Sequence, residues 1–322
     1  MTNPTSRPTI LLAVKLSAKL VEQLAARYEV LGPLGTPFTR LVATLPRADA
    51  ERVQALVTTG AADTTQAAIA ALPALRLISC VGSGYEGVDL AAARERGIAV
   101  THSPGANAAS VADLALGLLI ASVRKMFGAS AHLHNGGWES KGWRRRGGRG
   151  LTGRRMGIYG LGAIGEKIAR RAVACEMEVA YHNRKPRDDV PYPYHASLLE
   201  LATWADVLMI AVRADASNRH AVDAEVLRAL GPDGHVVNIA RGSAIDEQAL
   251  IAALRDSVIA GAGLDVFEHE PAVPEALRTI PNIALTPHIG GDTDEAHAAM
   301  SSMVLANLEA FFAGRPVPTP VP

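Results

Sequence analysis

Aromatic side chains are scarce in this chain of 322 residues, at 4%. Ala, Val and Leu must fill its cores instead, and a nucleic-acid surface built from interleaved aromatics and cations is disfavoured. An excess of either charge is also missing, because Lys plus Arg and Asp plus Glu number 32 each. No global field therefore draws the chain to nucleic acid or to an acidic membrane, and any anion site has to be local. Cysteine is nearly absent. Cys80 and Cys175 lie far apart in segments that read as apolar core, which points to a reduced, cytosolic pair rather than a disulfide or a nucleophile. Long hydrophobic runs are lacking too: the run Ile10 to Leu16 is broken by Lys15 and is too short for a signal core or a membrane span. The expectation is a cytoplasmic protein with no membrane partner and no nucleic-acid partner. His132 and His134 sit two apart in a helical stretch and project to different sides, so no metal site is expected. No internal repeat or heptad array is present, and only the tail PVPTPVP is compositionally biased.

Hydrophobic residues at 48% and charged residues at 20% are ordinary for a globular protein, and the length favours two domains. From Thr9 to about Val100, short apolar runs such as ILLAV and LRLISCVG alternate with Ala-rich helical stretches such as SAKLVEQLAARY. That alternation predicts a parallel sheet with helical crossovers. A helix without a clear polar face follows from Ser110 to Val123, suited to a core or a subunit interface. The Gly- and Arg-rich stretch Gly136 to Gly153, with Arg144, Arg145 and Arg146, reads as a solvated connection. A second series begins at Arg155 and runs through MGIYGLGAIGEKIARR, ADVLMIAV, HVVNIA and IAGAGLDVF to NIALTPHIG. The last helix, ending at Phe312, has no strand left in its own unit to follow and is expected to cross back. The fold class is therefore α/β, with two doubly wound parallel-sheet domains. A discontinuous flavodoxin-like substrate domain is assigned to 1–102 plus 291–322, and a Rossmann cofactor domain to 103–290.

Gly160, Gly162 and Gly165 form G-x-G-x-x-G directly after the strand MGIY and before the helix EKIARRAVA. The flanks matter more than the glycines, since only a strand-turn-helix lays a pyrophosphate on the helix N-terminus. In NAD-binding units a carboxylate about 20 residues onward takes the ribose hydroxyl, whereas an arginine accommodates the 2′-phosphate of NADP. The second strand here ends YHNRK. Asn183 stands where the acid is expected and Arg184 and Lys185 follow it, so NADPH is expected over NADH.

Downstream, Arg241 in NIARG, Glu270 in FEHEP and His288 in TPHIG each follow a predicted strand of the second unit. All three are expected at the carboxyl edge of the sheet, where such sheets bind ligands. An arginine fork can hold a carboxylate and a carbonyl oxygen. A histidine can exchange the proton that accompanies hydride transfer, and a carboxylate bonded to it favours its charged form.

With these motifs the chain resembles the D-isomer-specific 2-hydroxyacid dehydrogenase family, and most closely its glyoxylate/hydroxypyruvate reductase branch. The resemblance runs from about Leu75 to Gly291 through SCVGSGYEGVDL, SPGANAASVADLALGLLI, GLGAIG, NIARGSAIDEQAL, GLDVFEHEP and TPHIGG. It implies reduction of a small 2-oxo acid to the D-2-hydroxy acid, with Arg241, Glu270 and His288 as the catalytic set. It implies a substrate-carboxylate clamp at Val81, Gly82, Ser83 and Gly84, a nest-like loop after a strand, with Arg241 and His288 also on the substrate. Cofactor contacts are implied at Ala163 and Ile164 within the glycine turn, and at Val212, Arg213, Ile239, Ala240, Asp265 and Gly290. Asp265 is expected at the nicotinamide carboxamide, with Ala240 and Gly290 against the ring. The family also implies a homodimer through the apolar helix and the loop after it, and closure of the two domains on the substrate.

The sequence departs from the family after VLMIAV, where many members have a threonine in a Pro-rich turn. Here Arg213, Ala214 and Asn218 stand instead, and Arg213 adds a cation for the 2′-phosphate. Glu270 argues against a formate dehydrogenase, in which glutamine stands at that position. An NAD(H)-sensing corepressor-like protein of the same fold, or a reductase of bulkier 2-oxo acids such as phenylpyruvates, are the alternatives. The substrate side chain is expected to be read near Leu45, Thr58, Thr59 and Trp138.

Overall fold

The computed structural model describes residues 7–33, 44–138 and 149–321. The chain divides into two compact units, one of residues 1–107 and 293–322 and the other of residues 108–292. In the first unit, β1 (Thr9–Leu12), β2 (Glu29–Leu31), β3 (Val53–Thr59), β4 (Leu77–Val81) and β5 (Ala99–Thr101) pair in the order β2-β1-β3-β4-β5. Every pairing is parallel, and this order is that of the flavodoxin-like doubly wound sheet. Aliphatic strands buried on both faces explain the near-continuous apolar runs. Leu11, Leu56 and Ile78 pack to one side of the sheet, whereas Ile10, Ala55 and Leu77 pack to the other. Helix Asp294–Phe312 closes this unit: Val304 and Leu308 are fully buried in the same cluster as Ile10 and Leu77.

The second unit holds β6 (Arg155–Tyr159), β7 (Glu178–His182), β8 (Val207–Ile210), β9 (His235–Asn238), β10 (Gly261–Leu264) and β11 (Ile283–Leu285), in the order β11-β10-β9-β8-β6-β7. All of its pairings are parallel. A one-residue parallel bridge from Tyr181 to Tyr194 extends the sheet beyond β7. The strand order switches direction between β6 and β8, and ligands of doubly wound sheets bind beyond the carboxyl ends of the strands at such a point. Helix Ala108–Val123 packs its small and branched residues against this sheet, with Ala112, Ala115 and Leu119 fully buried. Its lack of a polar face follows from that burial. No single helix among the described residues is long and apolar enough to cross a membrane.

Cys80 and Cys175 are both unpaired. Burial on β4 pushes the Cys80 thiol up to about 12, which leaves it protonated and inert. Cys175 departs from the expectation of a core position: it caps the end of helix Ala163–Ala174 and is only partly buried.

Burial also explains an acid-sensitive point at the amino end of β9. His235 is 6% exposed and shares a 2.9 Å hydrogen bond between its Nδ1 and Ser122 Oγ. Burial first, and then the charges of Arg154, Lys125 and Arg149, depress its pKa from 6.5 to about 4. The unfolded chain therefore takes up a proton here in a range where the folded chain does not. This contribution is complete above pH 6.5 and is lost as pH falls toward 4, by about 3 kcal/mol at most. In urea unfolding between pH 7.5 and 4.5, His235→Gln is expected to show a flatter fall in stability than the parent chain. An equal slope would exclude His235 as the source.

Candidate active site

The turn after β6 departs from ordinary backbone for a local reason. Gly160 has φ of +101°, and a Cβ there would lie 2.4 Å from the Val212 nitrogen. At Gly165 a Cβ would meet the Gly160 oxygen at 2.3 Å, so the helix can approach the strand only with hydrogen at that position. Around Gly162 nothing lies within 4 Å of such a Cβ. Gly162 is also the N-cap of helix Ala163–Ala174 and supplies no side-chain cap. The first-turn N–H groups and an open approach together fit a pyrophosphate. Ala163 is exposed beside them, and Ile164 packs partly into the core.

The end of β7 is tied to the glycine turn. Asn183 Oδ1 accepts the Leu161 N–H at 2.7 Å, and Tyr194 donates its hydroxyl to the Asn183 carbonyl at 3.2 Å. Asn183, at the position where NAD-binding units carry an acid, thus braces the glycine turn with its side-chain oxygen. Arg184 and Lys185 are exposed beyond it. Arg184 Nη1 lies 3.8 Å from Asp215 Oδ2, in the segment after β8. Asp215 was not among the residues singled out in the sequence, because it is 31 positions from Arg184 and no spacing links them. Val212 packs partly against the core with its backbone beside Gly160, and Arg213 follows it.

Three neighbouring strands, β9, β10 and β11, deliver Arg241, Glu270 and His288 from their carboxyl ends. The turn that carries Arg241 is shaped by Asn238, 1% exposed, whose side chain donates to the Arg241 carbonyl at 2.9 Å and accepts the Ala240 N–H at 3.0 Å. Ile239 and Ala240 are buried within that turn. Arg241 Nη1 donates to the Ala240 carbonyl at 2.7 Å. His288 Nδ1 and Glu270 Oε2 are 2.7 Å apart, and Glu270 Oε1 accepts the Phe267 N–H at 3.1 Å. Burial would raise the Glu270 pKa, but hydrogen bonds from His288 and Phe267 outweigh it. With the nearby charges of His288 and Arg241, they hold the carboxyl below its ordinary range. Arg241, Glu270 and His288 thus follow three adjacent strands of one parallel sheet, with the Arg241 charge felt at Glu270.

Asp265 is held by several hydrogen bonds within the chain. It is 2% exposed and accepts from Thr286 Oγ1 at 2.7 Å and from the N–H groups of Ile289 and Gly290, both at 2.9 Å. Its carboxylate therefore holds the segment in which His288 adopts φ of +55°, a conformation that costs a non-glycine residue energy and needs such support. Thr286, Asn238 and Phe267 escaped the sequence reading because each acts through hydrogen bonds that only the folded turns create.

Gly242 marks the closest approach of the Arg241 turn to the Glu270 segment. A Cβ there would lie 1.9 Å from the Phe267 carbonyl carbon and 2.2 Å from the Glu268 nitrogen. Glu268 is itself tied to Arg219 Nη2 at 2.5 Å and His220 Nε2 at 2.8 Å, so the segment cannot retreat freely. Gly242→Ala is expected to cost about 2 kcal/mol or more in urea unfolding. A stability within about 0.5 kcal/mol of the parent would contradict this packing.

In the first unit, the loop after β4 is anchored through its carbonyls. Ser103 donates its N–H to the Gly82 oxygen at 2.7 Å, and His102 Nδ1 lies 2.9 Å from the Ser83 oxygen. Ser83 Oγ donates to Asn107 Oδ1 at 3.0 Å, and Gly82 has φ of +98°. Two residues expected to read the substrate side chain are engaged elsewhere. Thr58 is completely buried on β3, and Leu45 packs against the core of its unit. Thr59 ends β3, and Trp138 is 65% exposed. Arg144, Arg145 and Arg146 lie outside the described residues.

Comparison with known proteins bears on what this geometry is for. Hydroxyphenylpyruvate reductase of Plectranthus scutellarioides is 36% identical over 97% of this chain and 98% of its own length. Glyoxylate/hydroxypyruvate reductase A of Arabidopsis thaliana is 36% identical over the same shares. The crystal structure of an NADPH-dependent glyoxylate/hydroxypyruvate reductase from Sinorhizobium meliloti, in complex with NADP and malonate, superposes with a TM-score of 0.88. It is 39% identical, covering 98% of this chain and 97% of that one. Residues 116–290 match the family model for the NAD binding domain of D-isomer specific 2-hydroxyacid dehydrogenases. With whole-length relatives and that match, the chain belongs to the D-isomer specific 2-hydroxyacid dehydrogenase family.

Proposed function

We propose that the protein reduces a small 2-oxo acid, glyoxylate or hydroxypyruvate first, to the D-2-hydroxy acid with NADPH. The observation that carries this reading is the 2.7 Å His288–Glu270 pair, set with Arg241 on the sheet edge that also bears the glycine turn. When bound, the nicotinamide supplies the hydride. Glu270 is ionised at neutral pH and accepts the Nδ1 proton of His288, which leaves Nε2 to give its proton to the carbonyl oxygen of the substrate. The guanidinium of Arg241 grips the substrate carboxylate and turns the carbonyl carbon toward the hydride donor. A second grip on the carboxylate is assigned to the main-chain N–H groups of Val81 to Gly84. Arg184, Lys185 and Arg213 are assigned to the 2′-phosphate, with Val212, Ile239, Ala240 and Gly290 along the cofactor.

NADPH oxidation followed by absorbance, with glyoxylate, hydroxypyruvate and phenylpyruvates as substrates, tests the reading. Phenylpyruvates belong in the panel because a hydroxyphenylpyruvate reductase is among the whole-length relatives. Turnover of at least one of these acids is expected, and failure with all of them would reject the assignment.

The active form is proposed to be a cytoplasmic homodimer. Helix Met126–His134 buries none of its residues. Met126, Phe127 and Leu133 on it, with Trp138 beyond, are the apolar surface that a second copy would cover. Sedimentation velocity of the purified chain distinguishes dimer from monomer directly.

A further inference from the structure

The cofactor reading gives Arg184 a 2′-phosphate to bind, yet its guanidinium already faces an acid, Asp215. Asp215 stands after β8 and Arg184 after β7, on either side of β6 and its glycine turn. Their charged atoms are 3.8 Å apart, with side chains 40% and 88% exposed. So exposed a pair contributes little to stability, and Arg184 can leave it for a better anion at small cost. Asp215 is held more firmly. It accepts the Ser217 N–H at 2.8 Å and the Ser217 hydroxyl, while its own N–H donates to Asn218 Oδ1 at 2.9 Å. Asn218 in turn donates to the Arg213 carbonyl at 2.7 Å. The carboxylate thus belongs to a braced turn with Arg213 two positions before it. The bonds from Ser217, and then the charges of Arg184 and Arg213, keep it ionised below the ordinary Asp range.

We propose that Asp215 is a cofactor-selectivity residue: its carboxylate competes with the 2′-phosphate of NADP for Arg184 and repels that phosphate, lowering the preference for NADPH. A site with cations alone would favour the phosphate more strongly. With Asn183 engaged by Leu161, Asp215 is also the acid that stands by the end of β7 in space, although it is remote from it in sequence. Its charge disfavours a phosphate and tolerates a ribose hydroxyl, so NADH is admitted alongside NADPH.

This inference rests on the assignment of Arg184 to the 2′-phosphate, and the test separates the two. Isothermal titration of NADPH and NADH into the parent chain, Asp215→Asn, Asp215→Ser and Arg184→Ala gives the ratio of their Kd values. Asn and Ser keep an N-cap acceptor for the Ser217 N–H, so the turn is retained while the charge is removed. Both Asp215 variants are expected to tighten NADPH relative to NADH by about five-fold, and added salt should shrink that difference. In the Arg184→Ala background, Asp215→Asn should gain less. An unchanged or lowered NADPH preference in both Asp215 variants, with Arg184→Ala still weakening NADPH, would overturn the role of Asp215 alone. An unchanged ratio in Arg184→Ala would overturn the phosphate assignment together with this proposal.

Discussion

Replacing His288 with Asn is expected to lower kcat for reduction of the preferred 2-oxo acid by about 10²- to 10⁴-fold, while NADPH affinity stays within about two-fold. Asn keeps polarity and approximate size but cannot carry the proton that must reach the carbonyl oxygen as hydride arrives. The loss belongs to kcat because the group acts in the transition state rather than in binding. Glu270→Gln should give a smaller loss, about 10- to 100-fold, since the amide can still accept from His288 Nδ1 at the 2.7 Å contact. In the parent chain, hydrogen bonds from His288 and Phe267 overcome burial and hold the Glu270 carboxyl below its usual range. Glu270 therefore keeps its charge through mildly acid solution and loses it only as pH falls through that depressed range. Steady-state profiles of kcat against pH for both variants check these outcomes. A His288→Asn enzyme that retained a tenth of parental kcat would remove this histidine from the chemistry.

Arg184→Asp is expected to shift the ratio of kcat/KM for NADPH over that for NADH by about 100-fold toward NADH. The substitution removes a cation from the end of β7 and places a second acid near Asp215, which already stands 3.8 Å from the native guanidinium. Two carboxylates would repel a 2′-phosphate at close range, and the introduced acid can accept a ribose hydroxyl. The change should fall mainly on KM for NADPH, because Arg184 follows β7, at the opposite end of the strand order from β9, β10 and β11, which carry the other three residues. An unchanged ratio would place the phosphate elsewhere, with Lys185 and Arg213 the next residues to replace.

Much of the site is legible in the sequence because it is local. Gly160, Gly162 and Gly165 announce a strand-turn-helix by their spacing together with the apolar run before them and the helical pattern after, and the structure accounts for each: positive φ at the first, open approach at the second, contact with the Gly160 oxygen at the third. Arg241, Glu270 and His288 could be placed at one sheet edge because a parallel sheet brings every strand's carboxyl end to the same side. Asp265 shows where that reasoning stops. Its motif marks it as part of the site, but only the fold turns its carboxylate toward Thr286, Ile289 and Gly290. Thr58 and Leu45 show the same limit in the first unit. A threonine near a strand end reads as a surface group until the neighbouring strand and the rest of the fold bury it.

The order of apolar runs and helical stretches by itself determined two parallel-sheet units and placed the glycine turn between a strand and a helix of the second. Those features follow from backbone periodicity and handed crossovers, which act over a few residues and leave one outcome. Tertiary structure alone decided which polar groups remain available for a ligand. Asn183 became a brace for Leu161, Asp215 became the neighbour of Arg184, and Gly242 became the contact that sets the Arg241 turn against Phe267. Each of these depends on two segments far apart in the chain meeting within a few ångströms. A hydrogen bond or a steric contact decays over that distance, so no one-dimensional spacing can encode it.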